Sequence, residues 1–456
     1  MKKVLIASVM LVSGLCSGAD NSKPNVLFIA VDDLRPVLGC YGASEVISPN
    51  IDKLASKSVV FSKAYCSVPT CGASRASLFT GLQPTAKRFV DYKTTIDKDA
   101  PDVPTLPQVF KEAGYTTLSY GKIIHHKYDA EKRSWSEKAW IPGNERLDAR
   151  LDVTLKRLSK AKRGLMFEAA DVSDEGYIDG KTTQKTIQTL RRLKKDGKPF
   201  FLGCGFKKPH MPFYVPKKYW DMYDPSALSL ADNRYLPKGA PKSLRSSNEL
   251  NGYVLDDYDL ESDAWHRAMI HGYYACMSYI DAQVGKIMQE LKDLGLDDNT
   301  IVVLWGDHGF HLGEHNFWSK HNTMDVSLRV PLFVHVPGKM QGEVNAVVSS
   351  VDIYPTLCEL AGLPIPSHVQ GKSFVPMLDD LSQSMQESVY ARFRNGDTAI
   401  TGRYAFTRYS DGESMLFDHK KDPKENRNVV TNPEYKEVVV MMQKLLDQSI
   451  EEAEQK

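Results

Sequence analysis

The chain contains no apolar run long enough to cross a bilayer. Even the opening run, Val4 to Val12 of "MKKVLIASVMLVSGLCSGAD", falls well short of the roughly 20 residues a spanning helix needs. It also lacks an excess of either charge: 58 Lys and Arg stand against 57 Asp and Glu, for a net charge of +1, and no basic run stands apart from acidic neighbours. Nothing therefore marks nucleic acid or an anionic membrane surface as a partner. Cysteine is sparse, at 7 in 456 residues. Apart from Cys16, the thiols are scattered as Cys40, Cys66, Cys71, Cys204, Cys276 and Cys358, and Cys204 and Cys276 sit in apolar contexts typical of buried thiols. Few disulfides or none are expected. Internal repeats and low-complexity linkers are absent as well.

What is present is a globular composition, 42% apolar, in a chain long enough for two or more packed units. Lys2 and Lys3, the apolar run, and small residues ending at Ala19 have the layout of a secretory signal over residues 1–19. Export to the periplasm or the medium is expected. A lipid anchor on Cys16 is disfavoured by Leu15, where a small residue should precede it.

Beyond the signal, "NVLFIAVDD" (Asn25 to Asp33), "YTTLSYGK" (Tyr115 to Lys122), "FFLGCGF" (Phe200 to Phe206), "TIVVLWGDHG" (Thr300 to Gly309) and "VPLFVHVPG" (Val330 to Gly338) read as buried strands. Helical patterns lie between them. The clearest runs from about Ser262 to Leu294, with Ile280, Val284, Ile287 and Leu291 on one face and Gly295 as its stop. Such alternation predicts an α/β fold, a mostly parallel sheet covered by helices on both faces. Past about Asp380, "VYARFR", "RYAFTRYS" and "MLFDHKKDP" precede a helical segment from Pro433 to Glu452. They predict a smaller C-terminal antiparallel subdomain over residues 381–456, built onto a main domain over residues 20–380. Two long polar segments, Asp129 to Asp152 and Pro225 to Asp263, are expected as loops over the functional face.

Charged residues cluster where strands end. Asp32 and Asp33 follow "NVLFIAV", and Asp307 and His308 follow "TIVVLWG". In a parallel sheet, ligands bind beyond the carboxyl ends of the strands, and three carboxylates favour a hard cation such as calcium. Adjacent acids alone would more simply cap a helix or face water; the second strand end with "GDHG" favours a metal.

The stretch "CSVPTCGASRASLFTG" holds two cysteines, Cys66 and Cys71, and only the second is followed by Ser74 and Arg75. The residues after Cys71 can start a helix whose first amides point at the thiol, an environment that attracts anions and lowers a thiol's pKa.

At this point the sequence resembles the type I sulfatases, whose motif is Cys, any residue, Pro or Ala, Ser, Arg, then Thr-Gly a few residues on. "CGASRASLFTG" fits from Cys71, while "CSVPT" does not fit from Cys66. Further matching stretches are "PNVLFIAVDDLRP", "GKIIHH", "KKPHMPF", "GDHGFHLGEHNFWSKH", "RVPLFVHVPG" and "LFDHKKDPKENRNVV", so nearly the whole mature chain is covered. "VDDLRP", "KPH" and the His in "GDHG" look most like the iduronate-2-sulfatase branch.

The resemblance implies an alkaline phosphatase-like fold and conversion of Cys71 by a maturation enzyme to formylglycine, hydrated in the resting enzyme. One of its hydroxyls attacks sulfur, and loss of the second proton expels sulfate and regenerates the aldehyde. It further implies Ca²⁺ held by Asp32, Asp33, Asp307 and His308 with an oxygen of modified Cys71. His308, an uncommon calcium ligand, has hydrogen bonding to sulfate as its alternative. Arg75 and Lys122 would fix the hydrate, His125 would take a proton from it, and His210 with Lys320 would protonate the leaving oxygen and grip the sulfate. His126 is the neighbouring alternative to His125.

The substrate implied is a sulfated oligosaccharide or polysaccharide, first a terminal 2-O-sulfated iduronate or other uronate, second an algal polymer of sulfated rhamnose and uronate. A substrate carboxylate would need further cations, from Lys207 and Lys208 or from loop arginines. Two readings of other classes are a two-metal phosphodiesterase of the same fold, against which Cys71 argues, and a non-catalytic glycan-binding protein left by unconverted Cys71.

Overall fold

The computed structural model describes residues 23–143, 164–255 and 258–455. The expected export signal over residues 1–19 and part of the segment Asp129 to Asp152 lie outside the described residues. Among the described residues, no helix is long and apolar enough to cross a membrane, and no disulfide joins the six cysteines.

The main sheet is built from β1 (Asn25–Val31), β2 (Val59–Tyr65), β3 (Thr116–Gly121), β4 (Phe200–Phe206), β5 (Thr300–Gly306), β6 (Arg329–Val330), β7 (Leu332–His335) and β8 (Gly342–Ser349). Their order is β6-β2-β7-β5-β1-β4-β3, with β8 paired to β2. The pairs β3–β4, β4–β1, β1–β5 and β2–β8 are parallel. β7 runs antiparallel to β5 and β2, and β6 antiparallel to β2.

Every residue of β1 is buried because side chains on a strand alternate and both faces are covered. Leu27, Ile29 and Val31 enter one apolar core, while Val26, Phe28 and Ala30 enter the other. Each fully buried large side chain there contributes about 1.5–3 kcal/mol.

The expected strands are all present. Within the main sheet, β2 and β8 were not expected as strands, and their burial gives the reason: Ser62 and Lys63 interrupt β2, and the first half of β8 is largely exposed. Neither shows a clean apolar run.

Helix α1 spans Cys71–Thr80 and is buried along its whole length. The long helix α2 spans Asp263–Asp293; Ser262 caps it by accepting from the Trp265 N–H at 3.1 Å. Its Ile280, Val284, Ile287 and Leu291 are buried against the sheet as the periodicity predicted. Gly295, at φ +56°, ends it in a conformation that favours glycine.

C-terminal strands β9 (Ser388–Phe393), β10 (Gly396–Thr401), β11 (Tyr404–Tyr409) and β12 (Ser414–Asp418) form an antiparallel sheet in sequential order. Helix α3 (Lys436–Glu454) packs Met442, Leu446 and Ala453 against Tyr390, Ala399, Phe406 and Leu416. The fold is thus α/β, with a mostly parallel central sheet flanked by helices and a smaller antiparallel sheet at the C-terminal end.

Candidate active site

The carboxyl ends of β1, β3, β4 and β5 open on one side of the sheet, and each delivers a charged residue there. β1 is followed by Asp32 and Asp33, β5 by Asp307 and His308, β3 by Lys122 and β4 by the loop that carries His210. Cys71 is the first residue of α1, with Thr70 as its extended cap. Gly72 is required beside it, since a Cβ there would stand 2.5 Å from the Tyr92 carbonyl oxygen.

Beneath Cys71 the acids are fully buried and tied together. Arg75 donates from Nε to Asp307 Oδ2 at 2.8 Å and lies 3.4 Å through its terminal nitrogen from Asp32 Oδ1. Ser74 Oγ donates to the Asp307 carbonyl oxygen at 2.5 Å, which locks the helix start to the end of β5. Lys122 donates to Asp32, and Lys320 Nζ to Asp33 Oδ1 at 2.7 Å. The Asp33 N–H donates to Asp307 Oδ1 at 3.0 Å. Asp33, Ser319 and His321 adopt left-handed backbone conformations, with φ of 61°, 68° and 81°. Such conformations are disfavoured for residues with a side chain and concentrate at functional sites.

Ligand-capable atoms of Asp32, Asp33, Cys71 and His308 all lie within 4.8 Å of one another. Asp307 stands alongside, with Oδ1 3.6 Å from His308 Nε2 and its carboxylate engaged by Arg75 and the Asp33 amide. His308 donates through Nδ1 to the Gly309 carbonyl at 3.0 Å, leaving Nε2 buried without a hydrogen bond and 3.4 Å from Asp33 Oδ1. Burial disfavours its charged form, but Asp307, Cys71 and Asp33 outweigh burial and push it up to about 9; a cation seated among the carboxylates would take the place of that proton on Nε2.

The two cysteines are separated by their surroundings. Burial and the Asp32 carboxylate push the Cys71 thiol up, but Lys122, Lys320 and a hydrogen bond with His125 outweigh them and hold it well below the usual thiol range. Burial and Asp307 drive Cys66 well above that range with no cation to oppose them. Cys66 is packed without a cation, whereas Cys71 is the thiol whose surroundings favour the charged form.

His125 and His126 also part company. Burial lowers His125, which keeps it neutral beside Cys71, while His126 turns away to the Tyr92 carbonyl oxygen at 2.9 Å. His210 hydrogen-bonds the Met211 carbonyl through Nδ1 and presents Nε2 to the cavity side. Burial and Lys320 depress its pKa, but Asp33 and Asp32 outweigh them and push it up to about 9.

Above this floor opens a cavity of about 1080 Å³, lined by Cys71, Lys122, His125, His210 and Lys320 together with Tyr92, Lys207, Glu249, His321 and Arg394. The structure therefore gathers into one centre Cys71, Arg75, Lys122, His125, His210 and Lys320 around position 71, and Asp32, Asp33, Asp307 and His308 below it. Lys208 is a correction. Its Nζ is buried and donates to the carbonyl oxygens of His210 and Pro212 at 3.1 and 2.6 Å, so it braces the loop instead of facing a substrate.

Glu249 and Arg394 were not legible. Glu249 is a lone acid in a polar loop, and Arg394 is the tip of the β9–β10 hairpin, brought to the cavity by Phe393 stacking on His321 at 5.5 Å between ring centroids. Neither carries a local pattern that sequence could show.

Comparison with known proteins agrees with this geometry. The sulfatase family model matches residues 24–363, and a model described as the C-terminal region of N-sulphoglucosamine sulphohydrolase matches residues 313–452. Mouse iduronate 2-sulfatase is 33% identical over 404 residues, covering 80% of this chain and 73% of the mouse protein. A sulfatase of Formosa agariphila is 31% identical over 452 residues, covering 93% of this chain and 86% of its own. In fold, a protein solved with its substrate D-glucosamine-2-N,6-O-disulfate superposes with a TM-score of 0.76 at 20% identity, over 95% of this chain and 99% of that one. Since the match runs through the sheet and the site into the C-terminal unit, the chain belongs to the sulfatase family, in the branch of the iduronate 2-sulfatases, and is a sulfuric ester hydrolase.

Proposed function

We propose that this chain is an exported exo-sulfatase that removes an O-sulfate from a terminal sugar of a sulfated glycan, with the 2-position of iduronate or a related uronate as its preferred site. The observation that carries the reading is the environment of Cys71: a thiol held low by Lys122 and Lys320, beside a neutral His125 and directly above buried carboxylates. The branch of the family supplies the choice of sugar.

Conversion of Cys71 to formylglycine by a maturation enzyme supplies, on hydration, one hydroxyl that attacks sulfur and a second whose loss of a proton allows sulfate to leave. The chain's own residues do the rest. His125, neutral and in contact with position 71, accepts the proton of the second hydroxyl. Lys122 and Arg75 hold the buried Asp32 and Asp307 in register beneath it. His210 delivers a proton from Nε2 to the leaving oxygen, and Lys320 neutralises the sulfate.

Asp32, Asp33, residue 71 and His308, with Asp307 beside them, fit a Ca²⁺ ion, since three carboxylates and an unpartnered buried nitrogen converge there. When bound, the ion supplies positive charge that acidifies a hydroxyl and offsets the sulfate.

Arg394 favours an acidic sugar. It is exposed at the cavity, lies 5.2 Å from the Phe393 ring centroid and pairs with no carboxylate among the described residues. A planar guanidinium there is suited to a substrate carboxylate.

The test offers terminal 2-sulfated uronate, 6-sulfated and N-sulfated glucosamine, and 3-sulfated rhamnose in parallel, after mass analysis of the peptide carrying residue 71. Sulfate released from the uronate substrate alone is the expected result. Release only from glucosamine or rhamnose sulfate rejects the sugar assignment.

A further inference from the structure

A carboxylate stands inside a pocket that must bind an anion. Glu249 opens a short 3₁₀ turn, Glu249–Gly252, in the loop after residue 225, and its side chain is 9% exposed. By itself it repels a sulfate, so its presence there calls for a compensating role.

Its contacts supply one. Oε1 lies 3.3 Å from His210 Nε2, and Oε2 lies 3.0 Å from Lys320 Nζ. Ser319 Oγ donates to Oε2 at 2.5 Å, which fixes the carboxylate, and the Glu249 N–H donates to Ser247 Oγ at 3.1 Å, which anchors the backbone that carries it. His210 is already hydrogen-bonded to the Met211 carbonyl through Nδ1, so Nε2 is its working nitrogen. Lys320 is stretched between Asp33 and Glu249, which leaves its ammonium little freedom to swing.

We infer that Glu249 is a positioning residue: it fixes the His210 ring with Nε2 on the cavity side, from which the Nε2 proton passes to the leaving oxygen, and it holds Lys320 at the sulfate. The inference rests on the assignment of His210 as the proton donor. When the sulfur–oxygen bond breaks, its electron pair stays on the sugar oxygen, the sulfuryl group passes to residue 71, and Nε2 gives its proton to that oxygen, leaving neutral imidazole. A leaving group that is stable as an anion needs little of this help; a sugar alcohol needs all of it. Misplacing the donor therefore penalises the two classes unequally.

The experiment measures kcat and KM of the mature enzyme, of E249Q, of E249D and of H210N on 4-nitrophenyl sulfate and on a terminal uronate 2-O-sulfate. E249Q keeps the shape but not the charge, and its amide NH₂ opposes either the Lys320 or the His210 donor. The expected result is a kcat loss of about 10²-fold on the sugar sulfate, at least ten times larger than the loss on the aryl sulfate, with H210N showing the same bias and E249D recovering part of the sugar turnover. Aryl turnover reports that each variant is folded and converted, and if E249Q does not fold, E249D shows the same bias in weaker form. Equal losses on both substrates, or a raised KM for the sugar with kcat unchanged, overturn the inference. H210N without the bias overturns the His210 assignment itself, whereas H210N with the bias and E249Q without it leave that assignment standing and reject Glu249 alone.

Discussion

Arg75 Nε and Asp307 Oδ2 are 2.8 Å apart with neither side chain exposed, so the helix that presents Cys71 is bolted to the end of β5 through one buried ion pair. The same guanidinium also reaches Asp32, just past the end of β1. Removing one partner strands a buried charge, which costs about 3–5 kcal/mol. Arg75→Met should accordingly lower the denaturation midpoint and abolish turnover together. Arg75→Lys, which cannot span both carboxylates, should retain the fold better than it retains activity. Wild-type kinetics in Arg75→Lys would show that the fork geometry is unimportant.

Cys71 and Cys66 should be separable by chemistry. In protein made without the converting machinery, and free of metal, a small alkylating reagent below pH 7 should label Cys71 and spare Cys66, because only Cys71 is held low by neighbouring cations. In converted protein, Cys71→Ala should abolish turnover with the fold retained. Activity that survives Cys71→Ala but not Cys66→Ala would falsify the register.

The cluster of Asp32, Asp33, residue 71 and His308 should make activity calcium-dependent. Chelation should reduce turnover, readdition of calcium should restore it and raise the melting temperature, and Asp32→Ala or Asp307→Ala should be nearly inactive. Full turnover by protein shown to be metal-free by elemental analysis would rule this out.

His125 and His126 offer a paired test. His125→Ala should reduce turnover by about 10²-fold or more, as loss of a proton acceptor does, whereas His126→Ala, which removes a contact to a backbone carbonyl, should cost far less. The reverse ranking would reassign the base.

His419 predicts a pH dependence away from the active site. Burial disfavours its charged form, but the Glu425 hydrogen bond at 2.9 Å and the nearby Asp325 outweigh burial and the opposing Arg329, pushing it up to about 9 from the ordinary 6.5. Because the folded value is raised, its stabilisation is complete below pH 6.5 and fades as pH climbs through about 9. The contribution is on the order of 1–3 kcal/mol. Denaturant midpoints of wild type and His419→Gln should therefore differ most at pH 6 and converge near pH 10; a constant difference would refute the pairing.

The sequence determined the strands that carry the chemistry, because "NVLFIAVDD" and "TIVVLWGDHG" are apolar runs ending in acids, and a run buried on both faces leaves its pattern in the letters. It also singled out Cys71 over Cys66, through the Ser-Arg that follows Cys71. Strands β2 and β8 were hidden because each mixes polar and apolar residues, Ser62 and Lys63 within β2 and the exposed first half of β8. Only the tertiary structure set His125 beside Cys71 and turned His126 toward the Tyr92 carbonyl, drew Lys208 back to brace a loop, and brought Glu249 and Arg394 to the cavity. Those outcomes depend on which way a side chain points and on which distant loop is laid across the sheet's end. Such contacts join residues up to hundreds of positions apart, and no local periodicity or spacing encodes them.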